Sequence, residues 1–226
     1  MRTKHILAVA LATTTLSAAR AEVVYSNTNS YTANFGSIGT TEVGDEIILG
    51  GTGRLLTDFS FQVYSVSLSG NESVRLRLLY NDGGTYTGNP SYSGYQLPSG
   101  VLWDSGFFGV DLTVDGNHTI QYHVSDSSLP NNLWLPDSFT FAITFSGVTG
   151  GETVGVGLFS PPTVGASARD YWYHDPSTGW EPRTNEVQIL NFGAQVTAVP
   201  EPSVWSLSIL GGLAGLFLLR RRASNS

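Results

Sequence analysis

The chain is 226 residues long, with no cysteine, one methionine and a formal net charge of -7. Charged residues make up 13%, about half the usual share, while glycine (26 residues) and aromatic residues (12%) are frequent. This excludes a disordered polyelectrolyte, which needs high charge and few rings, and a long-helix protein, which is rich in Ala, Glu, Lys and Leu.

The first 21 residues read as a signal peptide. Met1-Arg2-Thr3-Lys4-His5 is a short basic region, and an apolar stretch starting at Ile6 fades by Leu16. Ala19-Arg20-Ala21 then presents small residues at the two positions a signal peptidase reads, which places the cut before Glu22. The apolar stretch is too short to span a bilayer, so a membrane helix is the poorer account.

Residues 22–197 show period-two alternation, the mark of half-buried strands. Phe59, Phe61 and Val63 alternate with Ser60 and Gln62; Val74, Leu76, Leu78 and Tyr80 alternate with Arg75 and Arg77. Ile120, Tyr122 and Val124 alternate with Thr119, Gln121 and His123, and Phe139, Phe141, Ile143 and Phe145 alternate with Thr140, Ala142 and Thr144. Val154, Val156 and Leu158 are spaced by glycines, and Leu190, Phe192, Ala194 and Val196 close the series. Turn signals such as Asn81-Asp82-Gly83-Gly84, Asp115-Gly116 and Gly150-Gly151 separate these runs. About ten short strands with one apolar face each predict an all-β fold, an antiparallel β-sandwich of jelly-roll type. Residues 89–100 and 125–136 read as long loops, where binding sites tend to lie.

Glu22 to Val199 holds five arginines (Arg54, Arg75, Arg77, Arg169, Arg183), no lysine and seventeen acidic residues, a net charge of -12. Nucleic acid is therefore not an expected partner, because no basic stripe exists to displace counterions. Without cysteine no disulfide forms, so stability must come from the core.

Enzyme signatures are absent. A P-loop needs a lysine, and none follows Lys4; no H-E-x-x-H occurs; and Gly165-Ala166-Ser167-Ala168-Arg169 lacks the second glycine of a nucleophile elbow. His118 and His123 are five apart on one strand, so they face opposite sides and cannot share a metal. Carboxylates for glycoside hydrolysis are available in Glu42, Asp45, Glu46, Asp104, Asp111, Glu152, Glu181 and Glu186, but no pattern singles out a pair. No catalytic residue, metal ligand set or cofactor is expected. Gly44-Asp45-Glu46, Asn81-Asp82 and Asp115-Gly116-Asn117 offer the clustered oxygens that calcium needs, although hairpin-turn chemistry is the better account of them. For a ligand, the candidates are Tyr171, Trp172, Tyr173 and Trp180, since exposed rings on a sandwich stack on pyranose faces; Trp134 in the second long loop could add another. Core packing plus one cross-strand aromatic pair is the better account of strand aromatics.

The last segment, residues 198–226, is the most distinctive. Pro200-Glu201-Pro202 is followed by sixteen uncharged residues, Val204 to Leu219, and then by Arg220-Arg221-Arg222. As a helix the run covers about 24 Å, close enough to a roughly 30 Å hydrocarbon core for snorkelling arginines to complete it. Positive-inside logic keeps the arginines in the cytoplasm and the remainder outside. Pro-Glu-Pro, an apolar helix and a terminal arginine cluster, in that order, resemble the PEP-CTERM sorting signal. The resemblance implies recognition by an exosortase, a membrane-embedded cysteine protease or transpeptidase, at Pro200, Glu201, Pro202 and the arginines. It also implies transient anchoring in the inner membrane of a Gram-negative bacterium with the domain in the periplasm, then passage to the cell surface or matrix. The two prolines suit such a site because they exclude helix and hold the segment extended. The expectation is thus an exported, non-catalytic surface or biofilm-matrix protein, with exopolysaccharide as its candidate ligand. The alternatives are a secreted glycan-active hydrolase and a structural adhesin that binds proteins through a sheet edge.

Overall fold

The computed structural model describes residues 20–200 apart from 37, 89–93, 169 and 185–188. The expected signal-peptide core, Glu201, Pro202, the apolar run 204–219 and the arginine cluster lie outside the described residues, as does Ala19. What is described is all-β: two antiparallel sheets packed face to face as a β-sandwich. Among the described residues no helix is long and apolar enough to cross a membrane.

The strands in chain order are β1 (Glu22–Ser26), β2 (Tyr31–Gly36), β3 (Glu42–Ile48), β4 (Gly53–Val66), β5 (Ser73–Tyr80), β6 (Val101–Asp104) and β7 (Phe108–Gly109). They continue with β8 (Gly116–His123), β9 (Ser138–Ser146), β10 (Thr153–Phe159), β11 (Ala166–Ser167), β12 (Asp170–Asp175), β13 (Gly179–Thr184) and β14 (Ala194–Pro200).

The first sheet is organised by β4. Its Asp58–Ser65 stretch pairs with β8 on one side; on the other it takes β14 along Gly53–Phe61 and then β10 along Val63–Val66. β1 extends the sheet beyond β14, and β2 beyond β10. The second sheet runs β13-β12-β3-β9-β5-β6, with β11 added on β3 and β7 on β5.

The alternation expected from sequence sets which residues meet. Phe59, Phe61 and Val63 of β4 are fully buried, as are Phe139, Phe141 and Ile143 of β9 and Leu76 and Leu78 of β5. Phe59 meets Phe141 edge-on at 5.6 Å across the two sheets, and Phe192 meets Phe141 at 6.1 Å. Between β10 and β2 the backbones approach so closely that a Cβ on Gly155 would lie 2.1 Å from the Phe35 carbonyl oxygen, so only glycine fits there.

Three features differ from the periodic reading. β14 starts at Ala194, later than the apolar series that begins at Leu190, and continues to Pro200. Leu190 and Phe192 are buried without belonging to a strand. Residues 125–136 form a plug instead of an open loop. Leu129, Leu133 and Leu135 are buried, the Leu56 amide donates to the Leu133 carbonyl, and the Leu135 amide donates to the Arg54 carbonyl.

Candidate functional site

Each sheet has one face turned away from the core, and the two faces differ. On the first sheet, Asp58, Ser60 and Gln62 of β4, Thr119, Gln121 and His123 of β8, and Gln195 and Thr197 of β14 point outward, half-buried or exposed. The Gln62 amide donates to the Thr119 hydroxyl at 2.6 Å, and His123 Nδ1 contacts the Asp58 carboxylate. Asp58, Ser60, Gln121, His123, Gln195 and Thr197 rim an open depression of about 140 Å³. His118 faces the other way, where its ring contacts the Ser65 hydroxyl at 2.9 Å and the Val114 carbonyl at 2.8 Å.

On the second sheet the outward positions around Trp172, Thr140 and Ala142 are covered. Residues 83–88 and 94–97 fold back as an arm over the sheet, held by the Thr85–Gln96 bridge and by backbone hydrogen bonds between Tyr86 and Tyr95, Leu97 and Gly84, and Gly83 and Leu97. Beneath it Trp172 points outward from β12 yet is only 2% exposed, with Tyr86 and Tyr95 edge-on to its ring at 6.5 and 6.3 Å. Trp172 is therefore not a free stacking surface. The other aromatic candidates scatter. Tyr171 packs on Phe35 and Phe192 at 5.0 and 6.1 Å, the Arg183 guanidinium lies 3.5 Å over the Tyr173 ring, and Trp180 stands against His174 at 4.8 Å. Trp134 is 42% exposed at the plug.

The carboxylates singled out from sequence go to separate tasks. Glu42 pairs with Arg77, Asp104 with Arg75 and Glu181 with Arg183; Asp111 caps Thr113, and Glu152 accepts from the Thr149 amide. Glu186 lies outside the described residues. Asp45 faces the core, fully buried, where it accepts from the Ser167 hydroxyl at 2.9 Å and the Phe192 amide at 2.7 Å. Burial pushes its carboxyl well above the usual range, and its two hydrogen bonds tie β3 to β11 and to the approach to β14. Asp82 contacts the Ser99 hydroxyl, and Asp115 accepts from the Ser67 amide at 2.6 Å, which is turn chemistry.

Glu46 has a neighbour that sequence reasoning missed. Asp170 and Trp172 share the outward face of β12, and Trp172 is paired with Gly44, so register brings Asp170 beside Glu46 under the arm. Burial raises the pKa of both carboxyls, and the charge of Asp170 adds to the rise at Glu46. The Asn81 side chain hydrogen-bonds Glu46, and the Tyr95 hydroxyl does the same for Asp170. Asn81 Oδ1 also accepts from the Thr140 hydroxyl at 2.8 Å. Only strand register could have found this pair, because the two acids are far apart in the chain.

Of the residues expected to direct sorting, only Pro200 is described. Pro200 is the last residue of β14, opposite Gly53, while Glu22 pairs with Ala198 on the neighbouring strand. The Glu22 carboxylate accepts from the Thr52 and Gly53 amides at 2.7 and 2.6 Å, so these hydrogen bonds hold it below its ordinary pKa. Both expected processing points therefore converge on the turn at 51–53. No protein-family model, no curated protein and no solved structure matches this chain.

Proposed function

We propose that the chain is an exported, non-catalytic surface or extracellular-matrix protein, sorted by an exosortase through its Pro200-Glu201-Pro202 tail. Its jelly-roll-like sandwich binds exopolysaccharide along the open face of the first sheet. The observation that carries the ligand is the uncovered array of Gln, Ser, Thr, Asp and His side chains on β4, β8 and β14. Side chains on one face of a strand repeat about every 6.8 Å, and strands lie about 4.8 Å apart, so the array offers donors and acceptors in rows to an extended chain of sugar hydroxyls. The net charge of -12 between Glu22 and Val199 favours a neutral glycan over a polyanion.

The corner at 51–53 supports the sorting reading. β14 hands over to Glu201 without a linker, and the expected mature N-terminus lies on the adjacent strand. A domain tethered there presents that corner to the membrane and leaves the polar face free.

The test is co-sedimentation of the detergent-solubilised full chain with exopolysaccharide from the producing cells, with dextran as a second probe. Replacing Gln62, Gln121 and Gln195 together with alanine is expected to reduce the bound fraction at least about fivefold while the fold is kept, because exposed polar positions contribute little stability. Undiminished binding by this triple variant would remove the first sheet as the ligand face. For sorting, Pro200→Ala with Pro202→Ala should leave uncut precursor in the membrane fraction; normal release would end that part of the reading.

A further inference from the structure

Beneath the arm, a row of oxygen-bearing side chains crosses four neighbouring elements: Asp170 on β12, Glu46 on β3, Thr140 on β9, and Asn81 just past the end of β5. Two carboxylates stand side by side in it, and no described arginine answers them. Arg54 is held by Asp137, Arg75 by Asp104, Arg77 by Glu42, and Arg183 by Glu181 and the Tyr173 ring. Between Glu22 and Val199 there is no lysine, and Arg169 lies outside the described residues. Asp170 is 7% exposed, and its Oδ2 is buried with no hydrogen-bond partner among the described residues. A buried carboxylate oxygen left unpaired is strongly unfavourable, so this position calls for either a proton or a counter-charge.

We propose that Glu46 and Asp170, with the Thr140 hydroxyl oxygen beside them, hold a calcium ion under the arm formed by residues 83–88 and 94–97. The donors are all hard oxygens, and calcium accepts six to eight of them in flexible geometry, with water and backbone carbonyls completing the shell. Magnesium is disfavoured because it demands near-ideal octahedral geometry at shorter distances. Among the described residues no three acidic or histidine side chains gather around one point. With two carboxylates and neutral oxygens, the affinity belongs in the weak class of extracellular modules, about 10⁻⁴ to 10⁻³ M. The ion ties the root of the arm to β3 and β12, and this assignment is independent of the glycan reading.

The experiment is thermal unfolding of the EDTA-treated full chain in detergent, titrated with calcium chloride at constant ionic strength. Equilibrium dialysis against radioactive calcium runs alongside it. At ten times the dissociation constant the midpoint should rise by about 3–6 °C, with one ion bound per chain. Magnesium at the same concentration should give less than half that rise. Glu46→Gln and Asp170→Asn should each abolish the increment yet melt no lower than wild type without calcium, since each removes an unpaired charge. Asp115→Asn, in a separate turn, should keep it. An unchanged midpoint with no saturable uptake overturns the proposal. So does an equal response to magnesium, or a calcium increment that survives both substitutions.

Discussion

On the first sheet the outward positions of β4, β8 and β14 carry Asp58, Ser60, Gln62, Gln121 and Gln195 and remain in contact with solvent. On the second, the outward-facing Leu79, Thr140, Ala142 and Trp172 of β5, β9 and β12 are no more than 2% exposed, while Arg75, Arg77 and Ile48 on the same face still reach solvent. Both faces arise from period-two strands of one sandwich. The difference lies in what is laid over them: nothing described covers the first, whereas the arm of residues 83–88 and 94–97 brings Tyr86 and Tyr95 down on part of the second. A strand's alternation determines which side chains share a face; a distant segment determines whether that face meets water.

The largest test of this contrast is Trp172→Ala. Truncating a buried indole between two tyrosines and the sheet should cost about 3–5 kcal/mol in urea unfolding, as large aromatic-to-alanine changes do in cores. A loss below about 1 kcal/mol would mean that the ring behaves as a surface residue. Next in size is the arm. Tyr86→Ala with Tyr95→Ala removes two edge-on contacts, each worth about 0.5–1.5 kcal/mol beyond burial. Hydrogen exchange at the Thr140 and Trp172 amides should then rise in the variant but not at Phe59 or Phe61; uniform exchange would show that the arm does not act as a local cover.

A pH test reads the second sheet's rim. The side-chain hydrogen bonds from Arg75 hold Asp104 below the usual aspartate range, against a smaller opposing effect of burial. A folded pKa below the unfolded one contributes stability that is present above the ordinary aspartate pKa and is lost as pH falls through the lower folded value. Asp104→Asn should therefore flatten the acid limb of the stability curve while leaving the first sheet's face untouched. An acid limb identical to wild type would show that the Arg75 pair contributes nothing. The smallest expected effect is that of Gln121→Ala, within about 0.5 kcal/mol, because the side chain stands on an open face. A larger loss would mean that this face, too, is covered.

Much of the fold was legible in the residues. The runs at Phe59–Val63, Val74–Tyr80 and Phe139–Phe145 lie within β4, β5 and β9, and Ile120–Val124 lies within β8 except for Val124, just past its end, since burying one face of a strand leaves a period of two in the chain. The candidate site was far less legible. Tyr171, Trp172 and Tyr173 could be assigned to alternate faces, but not the tyrosines that close over Trp172, which come from a segment with no periodicity. The plug at 125–136 looked like a loop because Leu129, Leu133 and Leu135 are buried individually, with backbone hydrogen bonds from Leu129 to β8 and between Leu133, Leu135 and β4, rather than by membership of a strand.

Local pattern and charge thus determined the strand-rich class, the large acidic excess and the lack of disulfide support. Those properties need only neighbours in the chain: alternation, turn residues and composition. Tertiary structure alone decided that Asp45 sits in the core, that Glu46 meets Asp170, and that one outer face is open while part of the other is covered. Each depends on register between strands distant in sequence and on where an aperiodic segment lands, and both are set by the packing of the whole sandwich.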